Sequence, residues 1–188
     1  VPKHADPVER RQQVVAALYR VVDAEGLDAA SLPRIARELN ATTGLLQKYF
    51  RSKDELLLFA QDQLVEELTA SVREVLNQEG SLQDRLHKAL CAIALVDDAA
   101  RARVWLAFAA RAAANPVLLQ RHVVGAQEIR ELCRHVLEVA GRDGGEAVGL
   151  AALVDGVTTQ RALEPDVMTA EVASRVIARH LARLWGNG

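Results

Sequence analysis

Apolar positions recur along this chain with helical spacing, and no segment shows the alternation of a strand. Val14, Ala17, Leu18 and Val21 follow the i, i+3, i+4, i+7 pattern of one buried face. Asp6-Pro7-Val8-Glu9 opens that segment with a capping residue, a proline in the first turn and an early acid, and Gly26 closes it. Ser31 caps a second, short helix with Pro33 in its first turn and Leu32, Ile35, Ala36 and Leu39 on its apolar face. Asn40, tolerant of the left-handed conformation, takes the turn that follows. Thr42 or Thr43 then caps a third helix, which is expected to last to about Phe50, because Ser52-Lys53-Asp54-Glu55 is a new capping box.

The remainder reads as six longer helices. The fourth runs from Ser52 to about Gln78 and the fifth from Ser81 to about Val96. Asp97-Asp98 caps the sixth, whose segment 104–110 is apolar on every side, as expected of a helix surrounded by others. Asn115-Pro116 caps the seventh, reaching Ala140; residues 141–145 form a loop; the eighth covers about Glu146 to Leu163. Thr169 caps the ninth, which ends near Trp185. The expected class is all-α, about nine helices, divided into a head, residues 1–53, and a helical body, residues 54–188.

Composition supports this picture and charge adds to it. Of 188 residues half are apolar, glycine and proline are few, and mean hydropathy is close to zero. No apolar run is long enough to span a membrane and no basic-then-apolar leader opens the chain, so a cytoplasmic protein is expected. Cys91 and Cys133 lack a C-x-x-C spacing and read as reduced, buried residues. The net charge of −2 conceals an asymmetry: residues 1–53 carry nine Lys/Arg against six Asp/Glu, and residues 54–188 fourteen against nineteen. A basic head on an acidic body suits a polyanion-binding module joined to a larger domain.

Two short helices meeting at a tight turn, the second with a polar face, form a helix-turn-helix candidate. Leu46 and Phe50, four apart, would pin the third helix and leave Thr43, Gln47 and Lys48 pointing outward. Gln bonds an adenine edge in bidentate fashion, and Lys reaches guanine acceptors or phosphate. Gly44 lets the backbone approach a surface closely. Arg10, Arg11, Tyr49 and Lys53 are placed for backbone contacts, and Ser31 and Thr42 open helices whose N-termini favour an anion.

Residues 31–56 resemble the DNA-binding signature of the TetR family of bacterial transcriptional regulators. The resemblance rests on Ile35-Ala36, Asn40, Thr42, Gly44, Tyr49-Phe50 and Ser52-Lys53-Asp54-Glu55-Leu56. Many relatives have Gly where Asn40 stands, Lys where Thr43 stands and Tyr where Gln47 stands, so no relative's operator transfers. Residues 105–118 and 152–181 are more loosely similar to BetI-type regulatory domains. The resemblance implies a ligand-responsive regulator, most often a repressor, that binds a near-palindromic double-stranded DNA operator as a homodimer and is released by a small-molecule effector. It also implies a dimer interface built from the last two helices, for which the stripes Leu150, Leu153, Val154, Val157 and Ala173, Ile177, Leu181, Leu184 are the candidates. A pocket among helices four to eight would be walled by Trp105 and Phe108, with Asp155, Thr158 and Thr159 as polar groups.

His4, His87, His122, His135 and His180 form no metal-ligand spacing, and no nucleophile elbow or phosphate-binding glycine loop occurs. No metal, cofactor or enzymatic activity is expected. The residues leave open a helical carrier or enzyme without DNA binding, and a module whose third helix docks on another protein. The sign of regulation also stays open.

Overall fold

The computed structural model describes residues 6–186, so His4 lies outside the described residues. Regular structure among the described residues is entirely helical. Helix α1 (Pro7–Glu25) starts where the Asp6 carboxylate accepts the Val8 N–H at 3.0 Å, and it ends at Gly26, whose φ of 81° an L side chain would resist. Helix α2 (Leu32–Glu38) is capped by the Ser31 hydroxyl, which accepts the Arg34 N–H. At its end the Ala41 N–H donates to Ala36 O and the Asn40 N–H to Arg37 O, with Asn40 at φ 50°. This is a Schellman turn with asparagine at the left-handed position. Helix α3 (Thr43–Gln47) follows at once, its first turn held by the Thr42 hydroxyl accepting from Leu45 N–H at 3.2 Å.

That third helix is shorter than its sequence suggests. It stops at Gln47, and the Tyr49 and Phe50 N–H groups both donate to Leu46 O at 2.9 Å. The tightened turn still brings Phe50 wholly inside beside buried Leu46. Helix α4 (Lys53–Leu76) begins at Ser52, whose hydroxyl accepts the Glu55 N–H. Helix α5 (Leu82–Ile93) ends three residues before Val96, because Leu95 takes a φ of 50° and the Val96 N–H folds back to Cys91 O. Helices α6 (Ala99–Ala112), α7 (Pro116–Val139), α8 (Ala147–Leu163) and α9 (Ala170–Gly186) complete the chain. Residues 144–146 form one 3₁₀ turn, with 144 and 145 expected as loop and 146 as the start of the eighth helix. No described helix is long and apolar enough to cross a membrane.

Two apolar clusters organise these helices. The first joins Val14, Leu18, Val21, Ile35, Leu46 and Phe50 of the head to Leu56, Leu57 and Ala60 at the start of α4. It also takes in Val104, Phe108 and Ala112 of α6 and Leu118 of α7. The second holds Leu64, Leu68, Val72 and Leu76 of α4 and Ala102 of α6 together with α5, α7, α8 and α9. Helices α4, α6 and α7 therefore run through both clusters, and Gln61 lies on α4 between Ala60 of one and Leu64 of the other. Ion pairs reinforce the junction from outside: Arg103 of α6 with Asp23 of α1, and Arg111 of α6 with Asp54 of α4.

This packing corrects the six buried members of the expected dimer stripes. Leu150, Val154, Val157, Ala173, Ile177 and Leu181 are buried in the second cluster of their own protomer, with Leu153 and Leu184 half-buried against it. Their spacing marks a buried face, but the neighbours that bury it belong to the same chain. The outward stripe of α8 is instead Val148, Ala152, Gly156 and Leu163, all exposed, with half-buried Thr159 between the last two.

Candidate nucleic-acid interface and regulatory site

Helix α3 has five residues, too few to be stable alone, so its neighbours must hold it. Leu46 and Phe50 anchor it in the first cluster, while Gly44, Gln47 and Lys48 are exposed and Thr43 is half-buried. Leu45, which sequence reasoning passed over, is exposed on the same helix beside Gly44. A large apolar side chain held in water on an otherwise polar face fits contact with a thymine methyl. Tyr49 packs half-buried against the first cluster. Ser31 and Thr42 are exposed, and their hydroxyls serve as caps.

The cations divide into free and committed groups. Arg10, Lys48 and Arg51 are exposed, and Arg51, also missed from sequence, shares an open groove with Pro7, Arg11, Lys48, Tyr49 and Glu55. Arg11 is half-buried: its guanidinium lies 4.9 Å from the centre of the Phe50 ring and 4.6 Å from that of Phe59, and it bonds Glu55 at 3.4 Å. Lys53 Nζ donates to Leu27 O at 2.8 Å, tying the start of α4 to the loop between α1 and α2. Burial lowers its pKa from the ordinary lysine value, with Arg111 acting in the same direction. Both residues, expected as phosphate contacts, are structural ties of the head. Arg34 bridges Glu25 and Glu38, and Arg20 also pairs with Glu38, fixing α1 against α2.

In the body, Trp105 and Asp155 line one narrow cavity with Leu64, Val65, Leu68, Ile129, Val154 and Thr158. It measures about 20 Å³, room for roughly one water molecule. The Asp155 side chain reaches solvent, yet surrounding protein raises its pKa above the usual carboxylate range, opposed by His122 and Arg130. Thr158 is buried and already occupied, its single O–H shared between Ala94 O and Val154 O, so it supports α5 from α8. Arg161 does the same for the next loops through Val96 O and Met168 O. Thr159 is half-buried on the outer side of α8. Phe108, expected in the pocket wall, is corrected to the first cluster, where it is fully buried one turn from Trp105.

Residues 14–59 match the family model described as bacterial regulatory proteins, tetR family, and residues 82–186 match that of the BetI-type transcriptional repressor C-terminal domain. The chain belongs to the TetR family. It is a ligand-responsive DNA-binding transcriptional regulator, and the family is not one of enzymes. Among TetR-family relatives, the HTH-type transcriptional regulator BetI of Escherichia coli O157:H7 is 30% identical over 186 residues, covering 87% of either chain. A transcriptional regulator from Rhodococcus sp. Rha1 is 27% identical, with a TM-score of 0.77 over 93% of this chain and 95% of that one. A regulator from Saccharomonospora viridis, solved in complex with choline, shares the fold at 18% identity, with a TM-score of 0.78 over 93% and 96% of the two chains.

The two kinds of cation separate experimentally. Lys48→Ala is expected to reduce the slope of log affinity against log salt by about 1.8, one phosphate contact in each half of a dimer, without changing the melting temperature. Lys53→Met is expected to lower stability by about 1 kcal/mol through the lost bond to Leu27 O while leaving that slope unchanged. Fluorescence anisotropy across a salt series, with thermal unfolding alongside, checks both.

Proposed function

We propose that the chain is a cytoplasmic repressor acting as a homodimer on an inverted-repeat operator. The exposed face of α3, pinned from behind by Leu46 and Phe50, is the observation that carries this reading. Gln47, Thr43 and Leu45 read base edges, and Arg10, Lys48, Arg51, Tyr49 and the helix starts at Ser31 and Thr42 position the backbone. Gly44 allows the close approach. One five-residue helix offers too few base contacts for tight binding, so two copies on neighbouring turns of the duplex are needed. The head, residues 1–53, reads DNA, and residues 54–188 dimerise and bind the effector.

The outer stripe of α8 is the dimer surface that fits this role. Val148 and Leu163 are 67% and 65% exposed, and the small residues Ala152 and Gly156 between them admit close helix approach. With its opposite face in the protomer core, α8 is apolar on both sides, as a helix covered on both sides should be.

The effector enters among α4, α6, α7 and α8 at Trp105 and Asp155. The cavity there is smaller than any ligand, so binding must spread the helices that also carry the first cluster. The choline of the Saccharomonospora protein does not carry over readily. A quaternary ammonium is held by several aromatic faces, whereas Tyr19, Tyr49, Phe50, Phe59 and Phe108 here all belong to the first cluster. Among the described residues, that leaves Trp105 as the one aromatic against the second.

Two measurements test this. Ala152→Arg is expected to sediment as a folded monomer and to lose operator binding at least about a hundredfold; a persistent dimer would place the interface elsewhere. On an operator duplex, replacing one thymine per half-site by deoxyuridine should weaken wild-type binding about fourfold per methyl lost. Leu45→Ala should abolish that sensitivity. Equal sensitivity in both proteins would remove Leu45 from base reading.

A further inference from the structure

Where the two apolar clusters meet, the interior turns polar. Gln61 on α4 is only 3% exposed, yet neither its Nε2 nor its Oε1 has a hydrogen-bond partner in the protein. Buried polar groups are ordinarily paired, because an unpaired one forfeits its hydration. The amide lies against α7 at Gly125, where a Cβ would come within 3.0 Å of Nε2, so the missing side chain makes room for it. His122, one turn earlier on α7, has a buried Nδ1 that is also without a partner. Its ring stacks 5.2 Å from Trp105 of the cavity wall and 6.2 Å from Phe108 of the first cluster. Outside, the Arg121–Asp62 ion pair bridges α7 and α4 beside these residues.

We propose that Gln61 and His122 form the polar end of the effector site and receive an uncharged amide-like head group, a carboxamide or lactam, on a small apolar body. This rests on the reading of the α4–α8 region as the effector site. A carboxylate would accept from Gln61 Nε2 but set its charge against Oε1, and an ammonium would do the reverse. An amide satisfies both atoms at once, through N–H to Oε1 and C=O from Nε2, with His122 Nδ1 available to the remaining valence of the head. The cavity reached through the His122–Trp105 contact has an apolar wall, apart from Asp155 and the occupied hydroxyl of Thr158, and Asp155 disfavours an anion. The position explains the response. Gln61 follows Ala60 of the first cluster directly, and His122 lies one turn after Leu118 of the same cluster. A head group seated between them wedges α4 from α7 at the point where both helices support α3.

The test uses the full-length dimer, with hexanamide and ε-caprolactam as probes and hexanoate and hexylammonium as charged counterparts. The amides are expected to raise the melting temperature of the wild type and to release a bound operator, while the ions do neither at equal concentration. Gln61→Leu keeps the shape, removes two unpaired polar atoms and should fold at least as stably. It is expected to raise the half-saturating amide concentration roughly tenfold or more. Gly125→Ala, which crowds the amide without removing it, should act in the same direction. Equal amide response in Gln61→Leu and wild type would overturn the assignment. Operator release by hexylammonium or hexanoate in both proteins would also overturn it, and would leave the effector site itself standing. A wild type that binds operator yet responds to neither amide likewise rejects the amide class.

Discussion

The head, residues 1–53, does not complete its own core. Three helices from the first fifty residues enclose Leu18, Ile35, Leu46 and Phe50, but the same cluster needs Val104, Phe108 and Ala112 from α6 and Leu118 from α7 to close. A unit of that size alone buries too little apolar surface to be more than marginally stable. Sharing a core with the body removes that weakness and makes the reading helix dependent on helices far along the chain. Anything that moves α4, α6 and α7 alters the base on which α3 stands. If α3 holds DNA as proposed, linkage requires it to act back on the proposed effector site to the same extent in free energy.

Polarity inside the molecule follows the same division. Most buried polar side chains are satisfied: Thr158 and Arg161 donate to loop carbonyls and hold the ends of α5 and α8 in place. Arg11 Nε and Arg85 Nε are unpartnered, but those guanidinium groups bond through another nitrogen, to Glu55 and to Leu76 O. The Gln61 amide has no partner at either atom, and it lies with His122 Nδ1 where the two clusters abut. On the surface, the cations of the head sort by partner. Arg11, Arg20, Arg34 and Lys53 are used to brace α1, α2 and α4, whereas Lys48 and Arg51 are exposed and the guanidinium of Arg10, also exposed, bonds the neutral Gln13.

Local chemistry was legible in the sequence and long-range chemistry less so. Asp6, Ser31, Thr42, Ser52, Ser81, Asp98 and Asn115 all cap the helices they announce, because a cap depends on neighbours two or three residues away. The early ends of α3 and α5 were not legible, since tertiary contacts at Phe50 and Leu95 set them. Periodicity found the stripes of α8 and α9 but not their partner: Val154 in the protomer core and Val148 at its surface are equally apolar. Phe108 was assigned by residue type to a pocket that its position one turn beyond Trp105 denies it. Gln61 did leave a signal. It falls on the apolar stripe Leu57, Leu64, Leu68, as His122 falls between Leu118 and Gly125, and a polar residue on a core stripe asks for a partner.

The central claim is that two copies of α3 read DNA as a symmetric pair. Selecting bound duplexes from a random DNA pool, with the full chain unfolded and refolded beforehand to strip any ligand, tests it most directly at fixed moderate salt. The account predicts an inverted repeat whose half-site centres lie about one helical turn, or a whole multiple of it, apart. Enrichment of a single unsymmetric site, or of no motif at all, would contradict it.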